Sequence, residues 1–498
     1  MVTFTVNNIL THVDNPNQIS AAVGKYLYIK TNTFYKGIDQ QVYASTGKTV
    51  LKTKFKVDTL QVYNQSTQMF PTGRLGYLVD WCKERGIPVN VIDNRIMPKK
   101  LFDAKYIGPP SDGSDGKPPR SYQLRAPELV KQKSRGILWY ATGAGKTITG
   151  ARIIQRLGVK TLYMVPSLDL LDQTHTALQG LLKNVSVGII GGGSWDPKEI
   201  TVATTATLWS RYETKECKEL LSSIDLLIVD ECHHTQRKGK GQKTKNKRGK
   251  TYDVNSWYIL ALHCNAYYRI GLTGTPGKDI EQKRSLLECV LGRVIDRVSV
   301  KELIDLGVLT DVEVHIHTIK HNRVIPDYPS ARREGVLLNE DFNRYIVNVA
   351  ITELKAGKYV LLLTGSKAHQ GPALSKLFKE YGYEVGFVSG DDKRKKRVQI
   401  REDFRDGKIR CLIGTVYKEG VDFPKLDVGI LCDGGQDEKG TCQFMGRILR
   451  TSEGKTIARL HDFMHKDKKH LQRHSNARLN TYVEEEIDTI ITHEGIIL

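Results

Sequence analysis

Apolar residues recur along this chain with two different periods, and the change of period divides it. Over residues 2–6 and 50–57 they alternate with polar ones, as in half-buried strands, whereas residues 75–85 carry them at helical spacing. Between the two strands, Phe34-Tyr35-Lys36-Gly37 reads as a turn. Residues 1–107 therefore predict a small α+β module. Further on, short continuous apolar runs (136–140, 224–229) alternate with stretches of helical period (148–157). This is the pattern of parallel strands covered by helices on both faces. It fills residues 120–306 and resumes over 307–498, which predicts two α/β domains in tandem, with a helix and turn at 301–309 near their junction. Residues 108–119, GPPSDGSDGKPP, have the composition of a linker.

The first α/β domain carries the chemistry. Its run 136–140 leads into Tyr140-Ala141-Thr142-Gly143-Ala144-Gly145-Lys146-Thr147 and then into a helical stretch. Glycines on a strand-to-helix turn let backbone N–H groups face phosphate oxygens, with Lys146 reaching the β/γ-phosphates and the Thr147 hydroxyl on Mg²⁺. Thr142, Gly143, Ala144 and Gly145 thus form a candidate phosphate cradle, although Tyr140 stands where Gly or Ala usually opens the pattern. About ninety residues later Asp230-Glu231-Cys232-His233 ends a second apolar run. Asp230 is placed to hold the metal, and Glu231 to polarise an attacking water. ATP and Mg²⁺ are the implied cofactors.

Charge narrows the partner. The chain has 498 residues, enough for about three domains of ~150 residues, and a formal charge of +20 with pI near 9.4. Such an excess favours nucleic acid. Eight of the cations lie in one stretch without an acidic residue: Arg237, Lys238, Lys240, Lys243, Lys245, Lys247, Arg248 and Lys250. They form a candidate phosphate-gripping arm within residues 237–250, with a solvated charge run as the competing reading. No apolar run reaches the ~18–20 residues of a membrane helix and no signal segment opens the chain, so a cytoplasmic protein is expected. The eight cysteines include no C-x-x-C pair, which disfavours a zinc ribbon. His461 and His465, like His470 and His474, are spaced i, i+4, as on a solvated basic helix face.

The ordered motifs resemble the superfamily 2 DExH-type helicases. Arg120-Ser121-Tyr122-Gln123 resembles the adenine-reading Q motif, with Gln123 contacting the base. Thr273-Gly274-Thr275 resembles the motif that couples hydrolysis to strand movement. Pro166, Gln173, Thr204 and Thr207 resemble nucleic-acid-contacting positions. In the second domain Thr415 and Glu419-Gly420-Val421-Asp422 resemble motif V, Thr415 on nucleic acid and Asp422 near ATP. Gln443-Phe444-Met445-Gly446-Arg447-Ile448-Leu449-Arg450 resembles motif VI, with Gln443 at the nucleotide. Two arginines three apart share one helix face, and Arg450 is the candidate arginine finger, assisted by Arg447.

The resemblance implies two RecA-like domains in tandem, preceded by a DNA-binding module. Residues 70–76, FPTGRLG, with 190–193, 366–369, Gly390 and Arg397, are similar to UvsW-type phage recombination helicases. That similarity implies an ATP-dependent DNA helicase remodelling forks and four-way junctions in replication, recombination or repair, located in a host cytoplasm. A double-strand translocase without strand separation, or an RNA-directed helicase, remains open. A catalytically silent DNA-binding scaffold fits poorly with intact Lys146, Glu231 and Arg450. The sequence does not name a protein partner.

Overall fold

The computed structural model describes residues 1–498 except 39–50, 118–119, 234–243, 246–250, 253–255, 275–282, 322–327, 390–391, 393, 416–425, 436–437, 453, 467–468 and 498. The chain divides into two compact units. The first comprises Met1–Pro110, Ser121–Trp139 and Lys146–Arg297, and the second Ser111–Arg120, Tyr140–Gly145 and Val298–Leu498.

The first unit opens with β1 (Val2–Val6), β2 (Leu10–Asp14), β3 (Tyr28–Ile38), β4 (Leu51–Gln61), β5 (Met69–Pro71) and β6 (Val89–Asp93). Four of these make a sheet ordered β5-β2-β1-β6, while β3 and β4 form a long antiparallel hairpin. Residues 34–37 correct the sequence reading: they are strand, with Phe34 opposite Phe55 and Tyr35 opposite Lys54. Two adjacent aromatics favour an extended, paired backbone, and one glycine does not override them.

This module packs on the rest of its unit through residues 70–76. Arg74 is buried, its Nη1 2.7 Å from Glu288 Oε2, with side-chain exposures of 5% and 4%. The Tyr77 hydroxyl donates to the same oxygen at 2.7 Å, and Arg74 Nε and Nη2 donate to the Tyr26 carbonyl. Glycine is required at 73, because a Cβ there would run into the carbonyl oxygens of Glu288 and Cys289. The segment FPTGRLG thus clamps the module to the helix Lys283–Leu291.

Next come β7 (Lys105–Tyr106), β8 (Arg135–Tyr140), β9 (Thr161–Val165), β10 (Leu182–Lys183), β11 (Val187–Gly191), β12 (Ser194–Asp196), β13 (Ile200–Thr204), β14 (Leu226–Asp230), β15 (Thr244–Lys245), β16 (Thr251–Tyr252), β17 (Tyr268–Thr273) and β18 (Val294–Val298). Eight build one sheet, β12-β11-β13-β9-β14-β17-β8-β18, parallel from β11 through β8. Strands β9, β14 and β17 are buried at every position, which explains their unbroken apolar runs.

In the second unit β19 (Asp311–Lys320), β20 (Val360–Leu363), β21 (Gly386–Val388), β22 (Cys411–Gly414), β23 (Val428–Leu431), β24 (Ile457–Lys466) and β25 (Thr489–Ile497) form a wholly parallel sheet ordered β21-β22-β20-β23-β24-β19-β25. His461 and His465 lie on β24, not on a helix face; a separation of four also returns to the same side of a strand. Both are buried, His461 Nδ1 2.9 Å from His317 Nε2 and His465 Nδ1 2.8 Å from His321 Nε2. Burial pushes the His317 imidazole down to about 4 and holds His465 well below its ordinary value, so this stack is neutral and structural. Among the described residues no group of three or more His, Cys, Asp and Glu side chains is placed to hold a metal ion, and no helix is long and apolar enough to cross a membrane. None of the eight cysteines is in a disulfide, and all are buried.

Removing one partner of a buried ion pair leaves an uncompensated charge. Arg74→Met is expected to cost about 3–5 kcal/mol in urea denaturation, and adding Glu288→Gln to restore part of it. A loss below about 1 kcal/mol, the range of surface pairs, would place Arg74 outside the clamp.

Candidate active site

Sheet order assembles the site. Asp230 ends β14 opposite Leu272 of β17, and Thr273 ends β17 opposite Trp139 of β8, so three strands finish side by side. Beyond β8 the turn uses Gly143 (φ 97°) and Gly145 (φ 77°), left-handed conformations that favour glycine, before Lys146 opens the helix Lys146–Leu157. Gly150 on that helix lets it approach Tyr163 of β9. Gln123 is buried on the helix Ser121–Lys133, which packs against Lys146–Leu157.

Lys146 Nζ stands 3.7 Å from Glu231 Oε1, and His233 Nδ1 stands 3.3 Å from Glu231 Oε2. Glu231 is held at φ 44°, a left-handed conformation uncommon outside glycine, while its N–H donates to Asp230 Oδ1 at 2.9 Å. Such a conformation costs about 1–3 kcal/mol, and it persists where neighbours over-determine it.

Desolvation, and then the Glu231 charge, push the Asp230 carboxyl up to about 7, against the pull of Lys146. Its ionisation in place is therefore disfavoured, and a cation beside it would offset that cost. The Tyr163 hydroxyl lies 3.5 Å from Asp230 Oδ2 and also bonds Thr147, so the two expected metal donors face a common point. A hard divalent cation fits this oxygen set, which Thr147 and Asp230 would supply.

Two family models match the chain: one described as type III restriction enzyme, res subunit, over residues 116–278, and the helicase conserved C-terminal domain over 342–452. The DNA 3'-5' translocase XPB2 of Sulfurisphaera tokodaii is 28% identical over 375 residues, covering 68% of this chain and 80% of its own. The ATP-dependent DNA helicase uvsW of Enterobacteria phage T4 is 22% identical over 423 residues, 80% of this chain and 79% of that protein. The chain belongs to the superfamily 2 helicases. It spans about half of two further relatives, 47% and 50% of their lengths. The fold is that of a putative HsdR subunit fragment of a type I restriction enzyme from Vibrio vulnificus, with TM-score 0.56 at 16% identity over 89% of this chain and 76% of that one. The protein is thus an ATP-dependent enzyme of the DNA helicase and translocase group, resembling UvsW.

Other expected helicase residues are placed unevenly. His233, buried, bridges Glu231 to Thr273, whose Oγ1 is 3.0 Å from its Nδ1. Gly274 follows, accepting at 3.0 Å from Trp139 Nε1, and Thr275 lies outside the described residues. Pro166 precedes Ser167, which caps the helix Leu168–Leu181 bearing the exposed Gln173. Thr204 is 3% exposed and caps the helix Thr205–Ser210, its hydroxyl donating to Thr207 Oγ1 at 2.8 Å, so Thr207 is the more accessible of the two. Within the basic arm the described piece is Thr244–Lys245, paired antiparallel with Thr251–Tyr252 just beyond it. Arg237, Lys238, Lys240, Lys243, Lys247, Arg248 and Lys250 lie outside the described residues, as do Gly390 and Asp422, and the side chains of Lys245, Arg397 and Gln443 are not described. Thr415 follows β22 and is half-buried.

The helix Glu438–Ile448 ends before Arg450, so Arg447 and Arg450 do not share a helix face as their spacing implies. Arg447 is buried near the helix end, and Arg450 pairs its backbone with Leu309. Lys455, unnoticed in the sequence among 75 lysines and arginines, donates to the carbonyl oxygens of Leu426 (2.5 Å), Ile448 and Arg450 (3.1 Å) and so pins this helix end. Burial pushes its ammonium down to about 8. Tyr163 carries no local signal, because only the strand order brings it beside Asp230, whereas His233 stands within the Asp230–His233 motif without its spacing giving it a role.

Lys146→Ala and Glu231→Gln are each expected to lower ATPase turnover about 100-fold or more. They differ in nucleotide affinity, which Lys146→Ala weakens and Glu231→Gln preserves. Near-native turnover in Glu231→Gln would remove Glu231 as the water-polarising group.

Proposed function

We propose that this helicase uses ATP to remodel branched DNA, regressing forks and migrating four-way junctions. The observation that carries the ATP half is the Lys146–Glu231–His233–Thr273 chain beside the buried Asp230. Lys146 grips the β/γ-phosphates, Glu231 polarises the attacking water, and Thr147 and Asp230 hold Mg²⁺. Arg447 and Arg450 supply guanidinium charge to the γ-phosphate during turnover. Gln123, Asp422 and Gln443 hold the nucleotide, while Thr273, Gly274 and Thr275 relay its state.

The DNA half is supported by the charge of +20 and by the similarity to uvsW along 80% of the chain. In this reading Pro166, Gln173, Thr204, Thr207 and Thr415 position the backbone without reading sequence, and the basic arm grips phosphates near the branch. The N-terminal module, anchored by Arg74, adds a DNA-binding body that travels with the ATP-binding unit. A second reading, translocation on duplex without strand separation, is favoured by the 28% identity to a protein named a DNA translocase.

The test compares ATPase stimulation and product formation on single-stranded DNA, duplex, fork, four-way junction and matched RNA. Forks and junctions are expected to stimulate most and to yield regressed or migrated products. Maximal stimulation by plain duplex with no strand exchange would select the translocase, and stimulation by RNA alone would overturn a DNA substrate.

A further inference from the structure

The N-terminal module and the β18 edge of the large sheet, both in the first unit, enclose a pocket of about 460 Å3. Its walls include Tyr77, Trp81, Trp139, Arg293, Arg297 and Glu84. The volume suits one small planar ligand. Its lining brings aromatic rings and guanidinium groups together, with Val294 beside them.

Each arginine lies over a ring. The Arg293 guanidinium carbon is 3.9 Å from the Tyr77 centroid, and that of Arg297 is 4.3 Å from the Trp139 centroid. A guanidinium stacked on one face can stack a base on its other, as single-strand binders use both arginines and aromatics. The walls are pre-set. Tyr77 stacks on Tyr26 at 5.3 Å and is tied through its hydroxyl to Glu288, while Arg293 is held by Asp80 at 2.5 Å. Arg293 Nε is buried and makes no hydrogen bond. The carboxylate of Glu84, 70% exposed, can accept from an exocyclic amine. Phosphate alone is a poor match, since Asp80, Glu84 and Glu288 offset the two arginines; a base fits better.

One wall leads to the hydrolytic site. Trp139 Nε1 donates to the Gly274 carbonyl, the next residue after Thr273, and Thr273 meets His233, which meets Glu231. We propose that this pocket receives an unpaired, unstacked base of the DNA strand, and that Trp139 passes its occupancy to the ATPase centre. The inference rests on the DNA-motor reading and names a subsite of it.

The test places a photoreactive 4-thiothymidine at successive positions of a fork's unpaired arm and maps cross-links by mass spectrometry, with native protein and with Arg297→Ala, Arg293→Lys/Arg297→Ala and Trp139→Phe. Cross-links at Tyr77, Trp81 or Trp139 are expected. The double variant should bind the unpaired arm about 10-fold more weakly, within the range of one lost stacking contact, with duplex affinity and DNA-free ATPase unchanged. Arg297→Ala, at an exposed residue that makes none of the Arg74–Glu288 clamp bonds, carries the same expectation if the double variant folds poorly. Trp139→Phe should bind the fork normally yet lose DNA stimulation of ATPase. Cross-links confined to other segments, together with native fork binding by Arg297→Ala, would overturn the pocket. So would a cross-link absent from DNA but a pocket protected by free deoxynucleoside monophosphate. Failure of any DNA to stimulate the native enzyme would instead overturn the motor reading beneath it.

Discussion

Everything in the ATP-binding unit depends on one electrostatic constraint: two adjacent carboxylates, Asp230 and Glu231, stand at the end of a strand buried along its whole length. Desolvation and mutual repulsion lift Asp230 to about 7 and leave the pair short of positive charge. Lys146 supplies part of it from the helix that follows β8, and a divalent cation with nucleotide would supply the rest. The parallel register makes this possible, because it ends β14, β17 and β8 together and sends a helix N-terminus back toward the same point. A backbone held at φ 44° on Glu231 is the local strain that keeps the second carboxylate turned to Lys146 and His233.

A second constraint joins the N-terminal module to this machinery. Arg74 and Glu288 are each nearly inaccessible, so neither can lose its partner cheaply, and Gly73 allows the backbone approach that brings them together. The same seam creates the aromatic and arginine pocket beside Trp139. A docking contact and a candidate base subsite therefore share Tyr77, whose hydroxyl serves the first and whose ring serves the second.

Much of this was legible in the sequence, for physical reasons that differ from place to place. Lys146, Asp230 and Glu231 are readable because phosphate and metal chemistry demands those groups at a strand end, and the buried strands announce themselves by unbroken apolar runs. Local patterns misled where tertiary pairing decides. One glycine made residues 34–37 look like a turn, although Phe34 and Tyr35 pair across a hairpin. His461 and His465 share a face at spacing four in strand and helix alike. Arg450 left its helix because pairing with Leu309 and the Lys455 ammonium stop the helix at Ile448. No local signal marks Lys455, since carbonyl groups carry no residue identity: two of its partners, Ile448 and Arg450, lie at and just past the end of the preceding helix, and the third, Leu426, lies on a separate segment.

The central claim is that the carboxylate pair is read out through His233 to Thr273, making hydrolysis and DNA movement one process. Thr273→Val keeps shape while removing the hydroxyl 3.0 Å from His233. The most direct measurement is ATP consumed per base pair rearranged on a fork by this variant. The account predicts DNA-stimulated ATPase within about 3-fold of native, with rearrangement per ATP reduced about 10-fold or more, the scale of one lost buried hydrogen bond or slightly above. A variant whose rearrangement falls only in proportion to its ATPase would contradict it.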